Sequence, residues 1–373
     1  MKKNLKICIE SQLLNHPIRS GLMTYTEGLV NGVSRVDNKN EYILSYYSLR
    51  QKADTMPGPV KENMKKMVVK VPDRMFPGRE FFVDQIALPG FFKENKVDVF
   101  HRPSGYTMPK IKNVYEILTI HDLRTVTIGD QYSAQNIDNY RKTIASVNLV
   151  VVVSECTKKD LIEHIGIDEK KIKVVYLGAD ARYKPSTQEE VNKVKAKYNI
   201  NEPFLLSVGS VPRKNIDRII RGFAGSKITD QFKLVLGCKN DIEKYKRLID
   251  ELGMNGRIMF AHHITDDDIV SLYTACHSFV FPSLYEGFGL PILEAMHCGA
   301  PVITSNISSC PEVAGEAGIL VNPNNIDEIS EAINQVCQNT DLRESMIEKG
   351  YERTKLFSWE KFANEMVKIY EQA

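Results

Sequence analysis

The chain has 373 residues, 43% of them hydrophobic and 26% charged, and its 49 Lys plus Arg against 47 Asp plus Glu leave a net charge of +2. At roughly 100–200 residues per domain that length implies about two domains, and the balanced composition excludes both a disordered chain and a bulk nucleic-acid binder. The balance hides an asymmetry: residues 1–180 carry 27 basic and 21 acidic side chains, the remainder 22 and 26, so a basic half precedes an acidic one.

Met1-Lys2-Lys3 runs directly into a strand-like segment with no long apolar stretch of a secretory leader. The longest apolar run, Leu149 to Val153, is far short of the roughly 20 residues of a membrane helix. These features predict a cytoplasmic protein and leave open attachment to the inner face of the cell membrane. In the first half, strands are expected at Lys6–Ile9, Tyr42–Tyr47, Val97–His101, Val114–Ile120, Leu149–Val153 and Ile172–Val175, with helices such as Thr24–Val33 and Thr157–His164 between them. After Tyr176 the pattern breaks at Leu177-Gly178-Ala179-Asp180 and Tyr183-Lys184-Pro185-Ser186, the best linker candidate.

A capping box at Ser186-Thr187-Gln188-Glu189-Glu190 opens a helix to about Tyr198. Strands then resume at Phe204–Val208, Phe232–Leu236, Arg257–Phe260, Ser278–Phe281, Val302–Thr304 and Ile319–Val321, interleaved with helices near Ile216–Phe223, Asp241–Leu252, Asp267–Cys276, Pro291–His297 and Ile326–Cys337. Such alternation implies parallel sheets covered by helices on both faces. The expected fold class is therefore α/β with two Rossmann-like, doubly wound domains, residues 1–180 and 181–355. Residues 356–373 form a closing helix, capped by Ser358, that holds the only Trp, Trp359.

Seven cysteines, an odd count without CxxC, read as reduced core residues. The eight histidines lack HxH or HExxH spacing, and His262-His263, if on a strand, would face opposite ways. No protein-built metal site and no cofactor are expected.

The densest segment is Phe281 to Met296, between a strand and a helix. Pro291 suits a first helical position, and Gly287 and Gly289 let backbone approach a ligand at a helix N-terminus, a natural seat for phosphate oxygens. Glu286 and Glu294 are expected to face one crevice at the C-terminal sheet edge, where carboxylates accept from sugar and ribose hydroxyls. Singly, each residue also reads as a turn or a helix-dipole complement; together, in this register, they read as a ligand site. Ser207 to Asn215 likewise leaves a strand and enters a helix. Arg213 and Lys214 there oppose the helix dipole, a conflict that a bound diphosphate would resolve. In the first half Gly21 opens a helix after the first loop, and His121-Asp122-Leu123 ends a strand; no Ser or Cys elbow accompanies that His-Asp pair, which also reads as structural.

Together these segments, with Val153-Ser154, Pro301-Val302-Ile303-Thr304-Ser305, Pro311-Glu312-Val313 and Phe357-Ser358-Trp359, resemble the large retaining glycosyltransferases of GT-B fold called glycosyltransferase family four, and bacterial mannosyltransferases of polysaccharide and O-antigen synthesis among them. The resemblance implies two domains facing a central cleft, with the final helix crossing back to the N-terminal domain. It implies a nucleotide-sugar donor, GDP-mannose or UDP-hexose, held mainly by the second domain. A glycan or lipid-linked oligosaccharide acceptor would lie mainly on the first. By the same resemblance Glu286 meets donor-sugar hydroxyls and Glu294 the ribose, while Arg213 and Lys214 meet the diphosphate. Amides around Phe288, Gly289 and Leu290 meet sugar and phosphate oxygens, Gly21 adds a phosphate contact, His121 lies near the transferred sugar, and Ile264 borders the nucleobase with His263. Two departures stand out: Ser210 where many members have Arg, and Ser20 before Gly21 where many have paired glycines.

A metal-free site would stabilise the departing diphosphate electrostatically through Arg213, Lys214 and helix-terminal amides. A dinucleotide oxidoreductase fails on GxGxxG, because Ile292 stands where the third glycine belongs. Two paired α/β domains would also suit a two-lobed small-molecule binding protein or a non-catalytic partner subunit. Lys61 to Lys70 with Arg74, Phe76, Arg79, Phe81, Phe82, Phe91 and Phe92 reads equally as contact with an anionic membrane or as solvated lysines over core phenylalanines.

Overall fold

The computed structural model describes residues 4–17, 19–73, 77–105, 107–109, 111–127, 134–209, 211–238 and 241–373. Arg74, Phe76 and Ser210 lie outside the described residues. The chain divides into two compact units, one running to Gly178 and including Ser358–Ala373, the other Ala179–Phe357.

In the first unit β1 (Lys6–Glu10), β2 (Glu41–Tyr47), β3 (Met64–Val69), β4 (Val99–Arg102), β5 (Tyr115–Ile120), β6 (Leu149–Val152) and β7 (Ile172–Val174) form a parallel sheet in the order β3-β2-β1-β4-β5-β6-β7. Every residue of β4 and of β6 is buried. With both faces covered, β6 reads as a continuous apolar run rather than an alternating one, whereas β4 buries His101 and Arg102 beside Val99 and Phe100.

The terminal helix Trp359–Tyr370 belongs to this unit and packs on the helix Gly21–Val36. The contact is close because of two glycines one turn apart. A Cβ on Gly28 would fall 2.3 Å from Trp359 Cε3, and one on Gly32 2.8 Å from Ala363 Cβ. Beneath the helices runs a buried polar chain: Tyr370 Oη to His101 Nδ1 at 2.7 Å, His101 Nε2 to Thr119 Oγ1 at 2.8 Å, and Thr119 to Tyr25 Oη at 2.8 Å. Burial pushes the His101 imidazole down to about 3, so it stays neutral and satisfied by hydroxyls.

The second unit holds β8 (Phe204–Val208), β9 (Lys233–Gly237), β10 (Ile258–Phe260), β11 (Ser278–Phe281), β12 (Val302–Ser305) and β13 (Gly318–Val321), again parallel, in the order β10-β9-β8-β11-β12-β13. Thr187 and Glu190 form the capping box expected before Gln188–Lys197, and Thr265 and Asp268 form another, which the sequence reading did not name, before Asp266–Ala275.

The lysine-rich segment after Lys61 contains the edge strand β3, with Met64 and Val69 buried and Lys66 Nζ donating to Met56 O at 2.7 Å. Phe92 is core, Phe82 and Phe91 pack against the same core, and Phe81 is exposed. His262 and His263 are not on a strand: β10 ends at Phe260, and His263 takes a left-handed backbone with φ 54°. All seven cysteines are free thiols, five of them buried.

Candidate active site

In the second sheet the strand order reverses between β8 and β11. Parallel sheets open a crevice at such a point, beyond the C-terminal strand ends. The turn Pro212–Lys214 follows β8, and the loop holding Glu286 follows β11. Neighbouring strands thus deliver Arg213, Lys214 and Glu286 to one place.

Backbone chemistry fixes both loops. Gly209 has φ 147°, and a Cβ there would lie 2.4 Å from Lys214 Cγ, so only glycine admits the lysine stem. Asn215, at φ 63°, donates through Nδ2 to Pro282 O at 3.0 Å and Pro323 O at 2.7 Å, stitching the turn to two other loops. The Leu284 amide donates to Arg213 O at 2.8 Å, and Ser283 Oγ stands 3.0 Å from the same oxygen.

Glu286 Oε1 accepts from Lys214 Nζ at 2.7 Å and Ser283 Oγ at 2.6 Å and forms an ion pair with Arg213 Nη1 at 2.6 Å, while that Nη1 donates to Tyr285 O at 3.0 Å. The carboxylate side chain is only 7% exposed. Burial works to raise its pKa, but Lys214 and Arg213 outweigh burial and hold it below the ordinary carboxylate range. Lys214 also sits 4.2 Å over the Phe281 ring, a cation–π contact. Ser308 Oγ accepts from the Glu286 amide at 3.0 Å and donates to the Glu286 carbonyl at 2.7 Å, while Ser309 Oγ lies 2.9 Å from both Glu286 O and Phe288 O. Neither serine stands out as a site residue in the sequence, although both lie just before Pro311-Glu312-Val313.

Phe288 is buried, edge-on to Phe357 at 5.7 Å, and Gly289 follows Gly287 and Phe288 at φ 98° to start the helix Leu290–His297. Glu294, in the second turn of that helix, lines a cavity of about 260 Å³ with Val208, Gly237, Ala261, Ile264 and Tyr183. Gly237 makes room for Ile264, whose Cδ1 would stand 2.7 Å from a Cβ there. Burial raises Glu294 to about 7, while a hydrogen bond from Tyr183, then Arg182 and Lys214, pull against that rise. Glu294 lines the cavity, Glu286 directs Oε1 at the cations, and Lys214 acts on both carboxylates.

Two named residues lie in the first unit. Gly21 opens the helix Gly21–Val36, capped by Ser20, whose Oγ accepts from the Met23 amide at 3.3 Å. His121 follows β5, packs edge-on against Tyr25 at 4.6 Å, and places Nε2 2.7 Å from Pro103 O. A carbonyl only accepts, so Nε2 carries the proton, and burial lowers the imidazole pKa, keeping the ring neutral.

A family model described as Glycosyl transferases group 1 matches residues 188–353, and one described as Glycosyltransferase Family 4 matches residues 53–183. The O-antigen chain mannosyltransferase B of Escherichia coli is 30% identical over 290 residues, 74% of this chain and 75% of that protein. The chain belongs to the group 1 glycosyltransferases. This glycosyltransferase is also 29% identical over 241 residues to the serotype-specific mannosyltransferase WbdA of Escherichia coli; the match covers 62% of the chain and 30% of that protein, so it spans less than a third of WbdA. Its fold is that of Anabaena HepE, solved in complex with UDP-glucose, at a TM-score of 0.75, 16% identity, and coverage of 99% and 100%. With two Rossmann-like units, each built on a parallel sheet, the glycosyltransferase has the GT-B architecture.

Proposed function

We propose that the protein moves a hexose, with mannose the best reading, from a nucleoside diphosphate sugar, GDP-mannose or UDP-hexose, to a hydroxyl of a glycan or lipid-linked saccharide, with retention of anomeric configuration. One observation carries this reading: two half-buried cations and one carboxylate converge at the switch point of a parallel sheet, close to a cavity lined by a second carboxylate. In the reaction the bond from anomeric carbon to phosphate oxygen breaks, and charge builds on the departing diphosphate. Arg213 and Lys214 stabilise that charge, Glu286 accepts from donor-sugar hydroxyls, and Glu294 accepts from the ribose. Amides at Phe288, Gly289 and Leu290 receive sugar and phosphate oxygens, and Ile264 borders the base. In the first unit His121, as a neutral imidazole, lies near the transferred sugar, and Gly21 adds a phosphate contact. The leaving phosphate itself helps to deprotonate the acceptor hydroxyl on the same face.

The mannose reading is supported by the names of the Escherichia coli relatives, and the nucleotide-sugar reading by the HepE complex with UDP-glucose. Mass spectrometry after incubation with a panel of nucleotide sugars tests both. Release of GDP from GDP-mannose, above all other donors, is expected. Turnover of a different sugar would replace mannose, and no hydrolysis or transfer with any donor, even with saccharide acceptors added, would favour a non-catalytic partner subunit.

A further inference from the structure

We propose that Ser308 is a positioning residue of the donor site: its hydroxyl brackets the Glu286 backbone from both sides and so aims the Glu286 carboxylate. The inference rests on the reading of Glu286 as a donor-sugar contact and adds a residue that the sequence motifs did not reach.

Ser308 is one of four hydroxyls on a single short run. β12 ends at Ser305, and from Thr304 to Ser309 the chain lies along the loop that leaves β11. Thr304 Oγ1 donates to Phe281 O at 2.9 Å, Ser305 Oγ to Ser283 O, and Ser308 Oγ to Glu286 O at 2.7 Å. Ser309 Oγ stands 2.9 Å from both Glu286 O and Phe288 O. A hydroxyl has one proton to give, and with Ser308 donating to Glu286 O, that of Ser309 falls to Phe288 O. The carbonyls of Phe281, Ser283, Glu286 and Phe288 thus each meet a hydroxyl, in the same order along both segments. Thr304, Ser305 and Ser309 are fully buried, where a carbonyl left unpaired is costly, so these three contacts belong to the fold.

Ser308 differs from the other three. It is only half-buried, and its hydroxyl serves one residue twice, accepting from the Glu286 amide at 3.0 Å and donating to the Glu286 carbonyl. Its own backbone is left-handed at φ 59°, a conformation that a non-glycine residue keeps only where its surroundings impose it. Holding N and O of one residue fixes the planar peptides on both sides of its Cα, and with them the direction of the Cα–Cβ bond. From that root the carboxylate reaches Lys214 Nζ at 2.7 Å, Ser283 Oγ at 2.6 Å and Arg213 Nη1 at 2.6 Å. All three meet Oε1, so the root decides where Oε2 is presented to a sugar hydroxyl. Ser308 holds that root.

Steady-state donor hydrolysis and calorimetric titration with the nucleoside diphosphate, both on the full chain, test the inference in wild type, Ser308→Gly, Glu286→Gln and the double variant. The donor is GDP-mannose, or whichever nucleotide sugar the panel identifies. Glycine takes φ 59° freely, so Ser308→Gly deletes the hydroxyl without adding strain; Ser308→Ala is the second variant, and melting temperatures control for folding. In both Ser308 variants kcat/KM should fall about tenfold, while affinity for the diphosphate, which lacks the sugar, stays within about twofold of wild type. Glu286→Gln should lose about 100-fold, and adding Ser308→Gly to it should cost less than about twofold more, because the carboxylate through which the hydroxyl acts is gone. With Glu286→Gln impaired, any of three results overturns the inference and leaves the Glu286 reading standing: the same tenfold loss in both backgrounds, diphosphate affinity falling in step with kcat/KM, or wild-type kcat/KM in both Ser308 variants. Loss of folding in both Ser308 variants would assign the hydroxyl to the fold and overturn it as well. Wild-type kcat/KM in Glu286→Gln, or no turnover of any donor by wild type, would overturn the Glu286 reading and the inference with it.

Discussion

Lys214 Nζ stands 2.7 Å from Glu286 Oε1, and the two residues lie 72 positions apart on loops that leave adjacent strands. Arg213 meets the same oxygen at 2.6 Å, so one carboxylate serves two cations. The cluster carries a net positive charge in a partly dry site, and the proposed diphosphate supplies the anion that balances it.

Removing the ammonium separates binding charge from fold. Lys214→Ala should lower kcat about 100-fold or more in donor turnover, with an unchanged circular dichroism spectrum, because Arg213 still satisfies Glu286. Near wild-type turnover would sink the assignment of Lys214 to the leaving diphosphate.

Neutralising the carboxylate does the reverse. Glu286→Gln leaves Arg213 and Lys214 without their counter-charge and should cost about 3 kcal/mol of stability in urea unfolding. Saturating GDP or UDP should then raise the melting temperature of the variant by more than it raises that of wild type, because the diphosphate replaces the lost charge. Equal ligand-induced shifts in both proteins would show that the cations do not receive the diphosphate.

Glu294 makes stability depend on pH. Its folded-state pKa of about 7 lies above the ordinary 4.5, so the folded protein keeps a proton that the unfolded chain releases. Stability from this group is present below pH 4.5 and lost as pH rises to about 7. Urea midpoints of wild type should fall relative to those of Glu294→Gln across that window. A constant difference between the two proteins would show that the carboxyl is not held protonated.

The glycine contact under Trp359 is sensitive to a single methyl group. Gly28→Ala should destabilise the protein by about 1–3 kcal/mol, since a Cβ 2.3 Å from the indole forces the terminal helix outward. Trp359, the only tryptophan in the sequence, should report the change as a red-shifted emission. Unchanged emission and melting temperature would mean that the two helices part without cost.

Much of this protein was legible in its sequence. Uninterrupted runs such as Leu149-Val150-Val151-Val152 marked strands covered on both faces, and Thr187 and Ser358 marked helix starts, because periodicity and capping are local properties of the backbone. Glu286, Gly289, Pro291 and Glu294 were recognisable as a loop-to-helix junction for the same reason. The edge strand Met64–Val69 was hidden by Lys65-Lys66, since an edge strand tolerates charge where an inner strand does not. Tertiary structure alone decided the rest. It placed β8 beside β11, and so brought Arg213 and Lys214 onto one oxygen of Glu286. It set Glu294 in the wall of the cavity and closed Trp359 over Gly28. Such pairings join residues tens to hundreds of positions apart. Strand order and side-chain packing determine them, and neither leaves a periodic trace in the chain.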